Sequence, residues 1–75
     1  MDNISYIRQE FRKGNKVYII DDWDESAMCY DPARPGRVTV KSPCRQEVDC
    51  DATNELIFES TLNGRIVSED EFYAY

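Results

Sequence analysis

The chain has 75 residues, of which 15 are Asp or Glu and 9 are Lys or Arg, so its net charge is -6 at pH 7. This charge disfavours direct binding to nucleic-acid phosphates, and a hydrophobic content of 41% excludes a disordered acidic tail. We therefore expect a single small acidic domain over residues 1–75, near the size at which folding is only marginally favourable.

The N-terminal segment predicts a short amphipathic helix. Apolar residues recur at helical spacing from Ile4 to Phe11, so the helix is expected over residues 4–13. Asn3 is the candidate N-cap and Gly14 the stop signal. A strand that turns at Gly14 is the alternative, but the segment lacks clean alternation of polar and apolar residues.

A β-hairpin and a third strand follow. Residues 16–20 and 26–30 are rich in β-formers, which predicts two paired strands. Their connection, residues 21–25, is the first of three acidic clusters. Residues 31–36 have the Pro and Gly of a turn, and residues 37–41 alternate polar and apolar side chains as a strand with one solvated face does.

The second half of the chain predicts a loop, a second hairpin and a helical turn. Residues 44–54 show no regular period, so we expect a long acidic surface loop. Residues 55–61 and 65–67 flank an Asn-Gly pair, the strongest short-range hairpin signal. Ser68, with Glu71 three positions later, forms a capping box that predicts a final turn of helix.

Together these elements predict an α+β fold. The sheet is either a small antiparallel sheet or an SH3-like, partly open barrel of about five strands, with a short N-terminal helix and a C-terminal helical turn. A strand such as 37–41 is expected at an exposed edge, where it could pair across a two-fold axis, so both monomer and homodimer are open.

The residue inventory argues against an enzyme. The absence of His excludes Ser-His and Cys-His hydrolases, and the three isolated glycines exclude the common phosphate-binding loops. Cys29, Cys44 and Cys50 lack the C-x₂₋₄-C pair of a zinc site, so free thiols are expected, with a Cys44–Cys50 bridge as the alternative in an oxidising compartment. No catalytic residue, metal or cofactor is expected. The absence of a long apolar segment or signal-peptide pattern predicts a cytoplasmic location.

The candidate partner-binding residues come from the first two acidic clusters, residues 21–25 and 47–55. They are Asp21, Asp22, Trp23, Asp24, Glu25, Glu47, Asp49 and Asp51. Trp is enriched at interface hot spots, so Trp23 either contacts a partner or folds back to close the core. The third cluster, residues 69–71, is weaker evidence for binding because it belongs to the capping box.

These features predict a small acidic protein-binding inhibitor. Carboxylates on a β scaffold can imitate a phosphate backbone and compete for the basic surface of a larger, nucleic-acid-binding protein. A phage or mobile-element protein that blocks a host defence nuclease in the host cytoplasm, as anti-CRISPR proteins do, would suit this size and charge. The alternative is a structural or adaptor domain that binds a protein through a sheet edge and Trp23, with acidity serving only solubility. Neither hypothesis involves direct nucleic-acid binding or a membrane.

Overall fold

The computed structural model describes residues 2–43 and 45–75, and this part of the chain folds into three helices and one five-stranded sheet. The elements in chain order are α1 (Asn3–Arg12), β1 (Val17–Asp21), β2 (Ser26–Tyr30), β3 (Arg37–Lys41), β4 (Val48–Asp51), α2 (Glu55–Asn63), β5 (Arg65–Val67) and α3 (Glu69–Ala74). The predicted α+β class is confirmed, and the sheet is open rather than closed into a barrel.

The sheet is antiparallel throughout, with strand order β4-β3-β2-β1-β5. β1 and β2 form the predicted hairpin, in which Val17 pairs with Tyr30 and Asp21 pairs with Ser26. β3 lies between β2 and β4, so the expectation that residues 37–41 form an edge is wrong. The described edges are β4 and β5, which are four and three residues long; short edges limit unwanted strand pairing.

The two faces of the sheet are covered by different helices. On the face covered by α1 and α2, the α1/α2 face, the buried residues are Ile7, Val17, Ile19, Met28, Tyr30 and Val38. On the opposite face, the α3 face, they are Tyr18, Ile20, Ala27, Cys29, Val67 and Phe72. Successive side chains of a strand point to opposite faces. The central strands β1 and β2 are therefore buried on both sides, which explains their nearly unbroken apolar sequence.

The N-terminal helix is confirmed as α1, but its cap differs from the predicted one. Asp2 is the N-cap, and its carboxylate accepts a hydrogen bond from the Ser5 N–H at 2.7 Å. Asn3 lies inside the first turn, and its Nδ2 donates to the carbonyl oxygens of Thr61 and Gly64, each at 2.8 Å. The side chain expected to start α1 therefore ties it to the C-terminal end of α2.

The predicted strand over residues 55–61 is wrong, because this segment is the helix α2. Asn54 is its N-cap and accepts hydrogen bonds from the N–H groups of Leu56 and Ile57 at 3.0 and 3.4 Å. The Asn63-Gly64 pair ends the helix instead of forming a hairpin turn, and the strand predicted after it is β5.

The predicted loop over residues 44–54 is wrong at Val48–Asp51, which form β4 against β3; Cys44 lies outside the described residues. The C-terminal capping box is confirmed in part, since the Ser68 side chain accepts from the Glu71 N–H at 3.2 Å. No helix within residues 2–43 and 45–75 is long and apolar enough to cross a membrane.

Candidate functional site

The connection between β1 and β2, residues 21–25, is a turn held by its first carboxylate. Asp21 is only 5% exposed, and its Oδ1 accepts from the N–H groups of Trp23 and Asp24 at 3.1 and 3.5 Å. Glu25 has φ of 51°, a left-handed conformation that returns the chain into β2. The structure therefore gives Asp21 a role in shaping the turn and leaves little of it accessible to a partner.

Asp22 joins the first acidic cluster to the third. Arg65 on β5 donates from Nε to Asp22 Oδ2 at 2.8 Å and from Nη1 to Glu71 Oε2 at 3.2 Å. The hydrogen bond from Arg65 lowers the pKa of Asp22 and raises the pKa of Arg65 itself. One cation thus offsets part of the charge of both clusters where they meet.

Asp24 fastens the same turn to the helix on the other side of the sheet. Its Oδ2 accepts from Ser60 Oγ of α2 at 3.0 Å. Asp22 and Asp24 therefore hold the turn from opposite faces, and Trp23 between them is 93% exposed. The alternative in which Trp23 closes the core is ruled out by this exposure. Hydrogen bonds on both flanks fix the backbone that carries the indole, and such preorganisation reduces the entropy lost on binding.

The predicted residues of the second acidic cluster lie on and beside β4, away from this turn. Asp49 forms ion pairs with Arg34 and Arg37 at 2.8 and 3.0 Å, and the Arg37 hydrogen bond is the main cause of its lowered pKa. Asp51 accepts from the Thr53 N–H and hydroxyl, and the N–H bond is the main reason that its pKa is lowered.

Glu47 and Glu25 differ from the other predicted carboxylates. Both are exposed, and neither forms an ion pair or a side-chain hydrogen bond within the described part of the chain. The structure therefore does not gather the eight predicted residues into one patch. It brings the turn and the third acidic cluster together through Arg65, and it leaves β4 separate.

An open apolar groove of about 340 Å³ lies beside the turn, between α2 and the inner strands β2 and β3. The residues that line it are Asp24, Ser26, Met28, Val40, Leu56, Ile57 and Ser60. The sequence does not predict this groove, because the composition of residues 55–61 favours a strand and the groove needs the helix α2 in its place. The only available signal was Asn54, an N-cap residue type directly before the segment.

α2 also leaves large apolar side chains in solvent. Leu56 is 74% exposed, Phe58 is 45% exposed and Leu62 is 44% exposed. Among the described residues, no three Cys, Asp or Glu side chains are grouped so as to hold a metal ion. The turn and its surroundings thus present an exposed indole, an apolar groove and carboxylates.

These features define a small acidic α+β domain with a preorganised, tryptophan-bearing turn. No family model, no curated protein and no solved structure matches the chain.

Proposed function

We propose that the chain is a small acidic protein-binding module that places Trp23 against a basic surface of a larger protein. The observation that carries this proposal is the 93% exposure of Trp23 on a turn fixed by Asp21, Asp22 and Asp24. An interface Trp at a hot spot contributes roughly 2 kcal/mol or more when truncated to Ala. No other large apolar side chain among the described residues is as exposed.

Net charge defines the class of partner. A charge of -6 attracts basic surfaces and raises the rate of encounter with them. Among the eight predicted partner-binding residues, Glu25 and Glu47 are the exposed carboxylates without an ion pair or side-chain hydrogen bond in the described ranges, so both are free to contact partner Lys and Arg. We propose a partner that ordinarily handles nucleic acid and is blocked when its basic surface is occupied. A phage or mobile-element origin, with a defence nuclease as partner, belongs to the same proposal and rests on size and net charge alone.

A second candidate is an adaptor domain whose acidity serves solubility. It is favoured by the ion pairs that Asp22 and Asp49 form within the chain, because a paired carboxylate imitates a phosphate poorly. The two candidates share Trp23 as the contact residue and differ in whether unpaired charge contributes to affinity.

The experiment is capture of a partner from lysate of the native host with the wild-type chain as bait, followed by affinity measurement with purified components. We expect Trp23→Ala to weaken binding by about 30-fold or more, equivalent to ~2 kcal/mol. Val48→Ala is the matched control, since Val48 is 59% exposed on β4 and β3 separates that strand from the hairpin that bears the turn; it should stay within about twofold. Wild-type affinity for Trp23→Ala would refute the proposal.

Salt and charge reversal separate the two candidates. Occupation of a nucleic-acid-binding surface predicts a steep loss of affinity between about 50 and about 300 mM salt. It also predicts a large loss when Glu25 and Glu47 are both replaced by Lys. If Trp23→Ala abolishes binding while salt and charge reversal change little, the adaptor function is correct.

A further inference from the structure

The groove beside the turn has an apolar floor and one exposed apolar wall. Met28 and Val40 come from the sheet and Ile57 from α2, while Leu56 stands at the side with 74% of its surface exposed. The volume of about 340 Å³ is at the lower end of the ~300–1,000 Å³ of known ligand sites. This size suits a protein side chain better than a drug-sized ligand.

The rim of the groove is acidic. Asp24 lines it, and Glu25 is the next residue of the turn. On α2, Glu59 lies between the lining residues Leu56 and Ser60 in the sequence and is exposed. Glu25 and Glu59 form no ion pair within residues 2–43 and 45–75. An apolar floor with this rim complements an apolar side chain flanked by Lys or Arg.

The position of the groove decides between a helical and an extended occupant. An extended peptide binds by adding a strand to a sheet edge. The groove lies over β2 and β3, whose backbone groups are already paired on both sides. Only side chains are available there, which is the setting of helix-in-groove recognition.

We propose that this groove binds a basic amphipathic helix of a partner protein, with a leucine-sized side chain on Met28 and Ile57 and Lys or Arg on the acidic rim. The proposal rests on the proposed function in taking a protein as the ligand, but it uses residues other than Trp23. It therefore adds a second point of contact to the turn.

The test uses a synthetic peptide of about 14 residues, or ~four helical turns, in which Leu recurs at helical spacing and the other positions are Lys. A peptide of the same composition with scrambled order is its control. We expect saturable one-to-one binding in titration calorimetry at about 150 mM salt, with NMR shift changes at the Met28 and Ile57 methyl groups. The scrambled peptide should bind with an affinity at least about tenfold lower. Shift changes confined to β4 or α3 would overturn the proposal.

Two substitutions on α2 distinguish peptide binding in the groove from binding by charge attraction alone. Leu56→Glu and Phe58→Glu both add one negative charge at an exposed position, but only Leu56 lines the groove. Leu56→Glu should weaken peptide binding by about fivefold or more, whereas Phe58→Glu should leave it unchanged or tighten it. If Leu56→Glu also tightens binding, charge alone holds the peptide and the groove proposal is overturned.

Trp23→Ala keeps the groove proposal and the proposed function separable. Trp23 does not line the groove, so this variant should bind the Leu-Lys peptide within about twofold of wild type. Loss of peptide binding in this variant would contradict a separate groove site. If peptide binding fails in the wild type while Trp23→Ala still abolishes partner capture, only the groove proposal is lost.

Discussion

The packing of α2 against β1 can be tested with Gly64→Ala, which introduces a methyl group where α2 ends and β5 begins. A Cβ on Gly64 would lie 2.5 Å from Ile19 Cγ2 and 2.9 Å from the carbonyl oxygens of Ile20 and Ser60. Ala is compatible with the φ of -76° at this position, so the expected penalty is steric and not conformational.

The expected loss of stability follows from the atoms that the new methyl group would displace. Carbon atoms pack best at ~3.5–4.0 Å, so the Cβ and Ile19 Cγ2 would have to separate by about 1 Å. Ile19 is fully buried, and the two oxygens belong to the backbone of β1 and α2, so a rotamer change cannot relieve the contact. Overpacking costs about 1–3 kcal/mol and occasionally more. We expect about 3 kcal/mol, or a fall in Tm of roughly 12–24 °C for a domain of this size.

The assay is thermal and urea denaturation followed by far-UV circular dichroism. Tryptophan fluorescence is unsuitable because the exposed Trp23 does not report on the core. Gly14→Ala is the matched control: Gly14 has φ of 80° and open space around it, so its cost should be the ~1–2 kcal/mol of a left-handed residue. Asn tolerates that conformation and should recover part of the loss at Gly14 but none at Gly64. A cost at Gly64 no larger than at Gly14 would refute the close approach of α2 to β1.

Three further substitutions test individual side chains. Asp21→Ala should lower the free energy of unfolding, measured in urea, by about 1 kcal/mol because two turn N–H groups lose their acceptor, whereas Asp21→Asn keeps a carbonyl acceptor and most of the stability; equal losses would contradict the role of Asp21 in holding the turn. Tyr30 Oη and Thr61 Oγ1 lie 2.6 Å apart in the core, so a double-mutant cycle of Tyr30→Phe and Thr61→Val should give a coupling of about 1 kcal/mol, and a value near zero would be inconsistent with the bond. Burial raises the pKa of Tyr18 from 10.0 to about 12, so its contribution to stability is complete below pH 10 and is lost as the pH rises toward 12. An absorbance titration of wild type against Tyr18→Phe should show a tyrosine ionising near pH 12, and a midpoint near 10 would contradict its burial.

The elements that the sequence predicted correctly are those specified by neighbouring residues. The period of apolar residues from Ile4 to Phe11 places α1, and the capping box at Ser68 places α3. The hairpin of β1 and β2 follows from two runs of β-formers around a short polar connection. β4 was missed although Val48 and Cys50 alternate with Asp49 and Asp51, because Asp is rare in strands.

α2 was misassigned because its local preference and its tertiary contacts disagree. Ile57, Phe58 and Thr61 favour a strand, and an Asn-Gly pair follows them. In the fold, Thr61 Oγ1 donates to the Ile57 carbonyl oxygen at 2.8 Å within the helix. The Thr61 hydroxyl also shares a hydrogen bond with Tyr30, which is 31 residues away. A contact between residues so far apart in the chain cannot be inferred from the composition of the α2 segment. Such tertiary contacts determine whether the segment forms a helix or a strand.

The same limit applies to the acidic turn. Asp22 and Asp24 are nearly adjacent in the chain, yet Asp22 is held by Arg65, 43 residues away, and Asp24 by Ser60, 36 residues away, on the opposite face. The sequence identified Trp23 as a candidate. However, the residues that hold the turn and leave the indole exposed, Arg65 and Ser60, lie on elements whose positions only the fold defines.

If the proposed function holds, this arrangement determines how affinity is divided between charge and shape. Carboxylates that are already hydrogen-bonded within the chain attract a basic surface at long range but offer fewer free acceptors on contact. Under the proposed function, close-range affinity depends on Trp23 and, if the groove proposal also holds, on the groove beside Leu56. A partner that engages both must receive the indole in a recess and place a basic helix next to it. Mutation of either contact should therefore act mainly on the dissociation rate, whereas added salt should act mainly on the association rate.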